Sequence, residues 1–250
     1  MAAARHVAGP PSFRIAKNKI MLKSLFAAIG VGGATVDTRL HNPRLRPGEL
    51  LRGEVTVNGG AMAQDLVKIE LQLLAEIDGA GREPAMLASL PVCGPCRIPA
   101  GCEWRLPFRL ALPPAMPVNH LPGLAGRPPS WLHTDLGLQR PRDADAGGWL
   151  QILPTPQMEV LLDAFSRLGW DLFAADVAGP ERRQIFELRP RDAGWNWRAI
   201  ALDFAVEQGG ATPVRVVIAG GGGEHRLALL LDADWRRADW LGELRARLGL

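Results

Sequence analysis

Leu51-Arg-Gly-Glu-Val-Thr-Val57 alternates apolar and polar side chains with a period of two, and its neighbours on both sides do the same. Val36-Asp-Thr-Arg-Leu40 precedes it and is followed by a Pro-Gly turn; Gly59-Gly60 separates it from Val67-Lys-Ile-Glu-Leu-Gln-Leu73. Successive side chains of an extended strand point to opposite faces, so Val55 and Val57 face one core while Glu54 and Thr56 face water. Three such runs joined by turn signals predict antiparallel sheet, the opening of a β-sandwich. A sandwich of this kind works by binding through loops and edges, and no catalytic constellation accompanies it.

The residues reached so far carry a resemblance. Gly32-Gly-Ala-Thr-Val-Asp-Thr-Arg-Leu40, Asn42-Pro, Arg46-Pro-Gly-Glu49, Gly53-Glu-Val-Thr-Val57 and Gly59-Gly60 resemble the start of the bacterial sporulation-control protein family (SpoOM-type), whose amino-terminal half is arrestin-like. Similar positions recur at Ile98-Pro-Ala-Gly101, Trp131-Leu-His-Thr134, Leu153-Pro-Thr-Pro156 and residues 161–169, so the resemblance extends over residues 21–250. It implies a fold that is mainly β: an arrestin-like antiparallel β-sandwich followed by a second β-rich domain carrying one or two helices. It also implies a regulatory protein. Two departures stand out: Arg44 and Arg46 occupy loops that are acid-rich in the family, and residues 144–148 are small and neutral.

A chain of 250 residues accommodates two modest domains. The pattern places a leader at 1–20, the sandwich at 21–115, a Pro/Gly-rich linker at 116–129 and the second domain at 130–250. The linker reading rests on Pro113, Pro114, Pro117, Pro122, Pro128 and Pro129 with glycines between them. The net charge is +3, but Arg5, Arg14, Lys17, Lys19 and Lys23 all precede the first acid. Beyond them, 24 of the 29 basic residues face 26 acidic ones, so the body is near neutral and a nucleic-acid partner is not indicated.

Residues 1–20 show no apolar periodicity, as expected of a disordered extension or a start codon placed too early. In the following stretch, Met21, Leu22, Leu25, Phe26 and Ile29 fall on one side of a helical wheel. This predicts a short amphipathic helix covering the sandwich, with Leu25, Phe26 and Ile29 as candidate partner contacts; weak membrane-surface contact is the alternative use of the same stripe. A targeting signal is the competing reading of this basic-then-apolar stretch. No apolar run reaches the ~18 residues of a spanning helix.

Three cysteines, Cys93, Cys96 and Cys102, are too few and too clustered for a secreted disulfide framework, which points to the cytoplasm. Cys93-Gly-Pro-Cys96 copies the tetrapeptide of thiol redox enzymes, in which a helix amino terminus activates the first thiol. Here Pro99 and Gly101 follow and break any helix, so the expected structure is a turn between strands. Redox chemistry at Cys93 and Cys96 is kept as the alternative function. No metal site and no cofactor site is expected: a structural zinc needs four ligands, and a histidine such as His120 or His133 would have to approach from elsewhere.

Trp104, Leu106, Phe108, Leu110 and Leu112 alternate along one side of a further strand, where Pro107 requires an edge or a bulge. Residues 130–136 read as a strand opening the second domain. His133 and Asp135 invite a charge-relay reading, but no Gly-x-Ser-x-Gly turn supplies a nucleophile. Asp143-Ala-Asp-Ala-Gly147 opens like a calcium loop and then fails, because its twelfth position is Pro154.

Thr155 as cap, Pro156 at the first position and Met158, Leu161, Leu162, Phe165 and Leu168 at helical spacing predict a helix over 156–168, ended by Gly169. Its apolar face packs on the second sheet or, alternatively, forms a homodimer seam. Strands are expected near 171–177, 184–188, 200–206, 214–218 and 227–231, with Gly220-Gly-Gly-Gly223 as a hairpin loop; without a lysine or a following helix it is no phosphate cradle. Leu241, Leu244 and Leu248 predict a closing helix over 235–248, in which Trp235 and Trp240 are candidate partner anchors. The expected function is that of a non-enzymatic adaptor that binds another, unidentified protein.

Overall fold

The computed structural model of the chain describes residues 25–28, 33–77, 84–124, 129–137, 148–178, 183–192, 194 and 196–248. The alternating runs form strands Leu25–Ala28 (β1), Thr35–Leu40 (β2), Arg44–Leu45 (β3), Leu50–Asn58 (β4), Gln64–Leu66 (β5) and Ile69–Ala75 (β6). Ala85–Cys93 (β7), Cys96–Ile98 (β8), Glu103–Ala111 (β9), Ser130–Asp135 (β10) and Gly148–Ile152 (β11) follow. One sheet has the order β1-β2-β4-β9 and the other β3-β11-β10-β6-β7, with β5 and β8 as a separate ribbon. Val36, Leu51, Val55 and Val57 of the first sheet meet Ile69, Leu71, Leu73 and Leu132 of the second in a buried core. Thr38 and Thr134 join hydroxyls across it at 2.8 Å, which satisfies two polar groups that the sandwich encloses. Pro107 lies on β9, an edge strand, where a missing N–H is tolerated.

Leu25–Ala28 is a strand and not part of a helix; it pairs antiparallel with β2, Leu25 opposite Thr38 and Phe26 opposite Asp37. A short apolar run cannot be assigned to helix or strand by periodicity alone, and the open side of β2 offers it ladder partners. Ile29 and the leader fall outside the described residues, as does the failed calcium loop.

Residues 116–129 do not divide the chain, because β10 pairs with β6 over six residues, β11 pairs with β10, and both complete the first sandwich. The proline-rich stretch is stitched in place. The Asn119 side chain donates to the Leu150 carbonyl at 3.0 Å and accepts from the Ile152 N–H at 2.8 Å. Gln184 closes a similar pair on Val118, accepting from its N–H at 2.8 Å and donating to its carbonyl at 2.7 Å. Met116 belongs to the first core, while Val118 and Leu121 belong to the second. The passage between units comes after β11.

Beyond it, helix Pro156–Arg167 (α1) precedes a five-stranded antiparallel meander of Trp170–Ala178 (β12), Arg183–Pro190 (β13), Trp197–Phe204 (β14), Thr212–Gly220 (β15) and Gly223–Leu231 (β16). Helix Trp240–Leu248 (α2) closes the chain. The Thr155 hydroxyl caps α1 by accepting from the Met158 N–H at 3.3 Å. Leu161 and Phe165 of α1 and Leu244 of α2 pack with Trp170, Phe186 and Leu202 of the sheet in a second core. Gly220 pairs with Gly223, so the glycine run is the predicted hairpin loop. The closing helix starts at Trp240 and not at 235, because Asp239 accepts from the Gly242 N–H at 3.1 Å and acts as its cap. Among the described residues no helix is long and apolar enough to cross a membrane.

Candidate functional site

Cys93 ends β7 and Cys96 begins β8, so the tetrapeptide is the expected turn and no helix starts there. The Cys93 thiol donates to the Cys96 sulfur at 2.9 Å. Burial, reinforced by Cys93, pushes the Cys96 thiol up to about 11, opposite to the shift that activates a nucleophile. At neutral pH Cys96 is therefore protonated. Site-resolved alkylation with iodoacetamide is expected to be slow at Cys96 at pH 7.5 and to accelerate only in strong alkali. Rapid modification at neutral pH would contradict this environment.

His133 and Asp135 do not form a relay. Asp135 stands 2.6 Å from the Lys68 ammonium, which also reaches Glu70 at 2.9 Å, and Gln72 donates to both carboxylates. Thr134, the hydroxyl between them, turns inward onto Thr38. Burial lowers the His133 pKa below its ordinary 6.5, against the opposing pull of Asp135. The unfolded imidazole thus takes up a proton where the folded one does not, so this group costs stability as pH falls through and below that value. The unfolding midpoint is expected to drop on acidification from pH 7 to 5, and His133→Gln to flatten the drop. A profile unchanged by the substitution would show that His133 does not set it.

The same face of the sheet carries an apolar row. Residues of β6 and β10 that alternate with the core positions point outward, and cross-strand pairing aligns Trp149, Trp131, Leu74 and Met86 across β11, β10, β6 and β7. The two indole rings lie 5.6 Å apart, tilted by 59°. Trp131 is buried outside both cores, whereas Trp149 and Met86 are 45% and 55% exposed. The next outward positions are polar: Gln72 and His133, then the Lys68, Glu70 and Asp135 cluster. Sequence reading missed this row. The signal was the nine-residue stretch Ala85–Cys93, which contains no charge and lacks clean alternation.

Neither predicted tryptophan anchor is available. Trp235 and Trp240 are buried in the second core, and the Trp240 indole N–H donates to the Trp235 carbonyl at 2.8 Å. A cleft of about 890 Å³ is lined by Gly48, Met116 and Met158 together with Arg183, Asp203 and Arg215. Asp203 accepts from both arginines, with Arg215 at 3.0 Å, and Gln157 donates to Glu207 at 2.8 Å. The Asp203 pairs tie adjacent strands of one wall together, the Gln157–Glu207 bond links α1 to the segment after β14, and these groups present no nucleophile–base pair. Among the described residues no group of three or more metal-ligating side chains forms.

The family model described as SpoOM protein matches residues 22–214. The chain belongs to this family. A member, the sporulation-control protein spo0M of Bacillus subtilis (strain 168), is 34% identical over 172 residues, 67% of this chain. The matched region spans 64% of that relative's length. The crystal structure of Spo0M from Bacillus subtilis superposes with a TM-score of 0.69 at 24% identity, covering 87% of this chain and 98% of that one. The arrestin-like fold is shared with it. The family match ends within β15, short of the 21–250 span of the resemblance, although the structural likeness covers more of the chain.

Proposed function

We propose that the chain is a regulatory protein of the sporulation-control kind, without chemistry of its own, acting in the cytoplasm by binding another protein. The observation that carries this reading is the apolar row ending in half-exposed Trp149 and Met86, on a sandwich whose reactive-looking groups are engaged in pairing. Large apolar side chains presented together on a folded surface mark interaction sites. The name of the Bacillus relative, a sporulation-control protein, agrees with a regulatory role. The thiol alternative finds no support in a Cys96 thiol pushed up to about 11. Immobilised full-length protein, exposed to native lysate of its host, is expected to enrich the same protein partner reproducibly. No enrichment across replicates, or residue-dependent turnover of a compound by the purified protein, would overturn the proposal.

A further inference from the structure

The outer edge of β7 differs from every other long edge of the fold. Among the described edge strands of more than four residues, β9 carries Glu103, Arg105 and Arg109, β12 carries Asp171 and Asp176, and β16 carries Glu224 and Arg226. Charges of this kind keep an unpaired row of backbone N–H and C=O groups from recruiting a foreign strand. β7 has none over nine residues. Its protection comes from Pro91 and from two register irregularities in its ladder with β6, one skipping Val92 and one skipping Leu87, so residues 85–90 form a stretch with a single bulge that ends at Pro91. Met86, Ser89 and Pro91 are its exposed positions, and Met86 is the last member of the apolar row.

From this juxtaposition we infer that β7 is a docking edge to which an extended segment of a partner protein adds as a sixth, antiparallel strand. The inference rests on the protein-binding reading above and specifies the partner's chemistry. Backbone groups of residues 85–90 supply the ladder, and an apolar side chain beside Met86 continues the row. At the other end, Glu70 lies opposite Pro91, and a single ammonium, Lys68, serves both Glu70 and Asp135, leaving one excess negative charge. Pro91 has no long side chain to shield it. The fitting segment is thus uncharged and alternating along its length, with a basic residue at its amino-terminal end. A second copy of this chain fits less well. Two-fold pairing of these edges joins six residues per chain, against the roughly 20–30 per side of a stable interface, whereas one strand needs only the edge and its side-chain contacts.

The probe is the acetylated, amidated peptide Lys-Thr-Val-Thr-Val-Thr-Val, added to the full chain with backbone hydrogen exchange as readout. Exchange is expected to slow at residues 85–90, and not with a control peptide carrying Asp in place of each Val. The double variant Met86→Lys, Ser89→Lys alters exposed side chains only; it is expected to keep the unfolding midpoint and bind the peptide at least about tenfold more weakly. No slowing at up to about 1 mM peptide, where even a weak contact registers, would overturn the inference, as would equal slowing in the variant. Concentration-dependent dimers that the variant dissociates would also overturn it, giving the edge to a second copy. Capture of the same lysate protein by intact and variant chains would sink the β7 assignment alone, whereas no capture by the intact chain would sink the broader reading.

Discussion

Replacement of Trp240 by alanine is expected to cost about 3–5 kcal/mol of folding stability, the range for truncating a buried aromatic side chain. The indole is 5% exposed, opens α2, and packs in the core formed by the meander and both helices. Its N–H also satisfies the Trp235 carbonyl, so truncation leaves a cavity and an unpaired acceptor together. Trp240→Phe keeps most of the volume and removes the hydrogen bond, and should cost much less. Denaturant titration of the three proteins measures both differences. Unchanged stability of Trp240→Ala with loss of partner binding would restore the tryptophan to an interface role.

The second large effect is expected from Gly53→Ala, at about 1–3 kcal/mol or more, because overpacking a closed site forces its surroundings to move. Gly53 lies mid-strand in β4, between Leu40 of β2 and Phe108 of β9. A β-carbon there would stand 2.4 Å from the Arg39 carbonyl oxygen and 2.5 Å from the Phe108 ring. The ring can rotate away, but the carbonyl belongs to a paired backbone and cannot without breaking the ladder. Adding Phe108→Ala to Gly53→Ala should therefore recover none of the carbonyl-side cost. Gly48→Ala is the contrasting control: nothing lies within 4 Å, and only its left-handed φ of +81° opposes a side chain. Guanidinium midpoints falling equally in the two single alanine variants would contradict the steric argument.

What was legible in the chain followed from how many faces an element buries. β2, β4, β6 and β9 bury one face and expose the other, which writes alternation into the sequence. α1 announced itself through Thr155, Pro156 and a one-sided stripe, and the meander through short runs separated by turns. β7 was invisible because its outward positions hold Met86, Ser89 and Pro91 in place of charges, and an irregular ladder breaks the period. Trp149 and Trp131 could be seen as residues but not as neighbours, since cross-strand alignment is fixed by pairing that no local window contains. The same holds for the domain boundary. Proline density marks a chain without ladder donors, yet Asn119 and Gln184 show that side chains can anchor such a chain as firmly as a strand.

The route of the backbone through Met116, Val118 and Leu121, back into β10 and β11, and only then onward to α1, makes the amino-terminal half non-autonomous. A fragment ending near residue 115 retains β6 but surrenders the strand beside it, baring six positions of backbone and the floor of its own core. Expressed separately, the two sides of a division in the proline-rich bridge would thus both be sticky, whereas dividing the chain after Ile152 would leave the amino-terminal sheets with their full complement of strands.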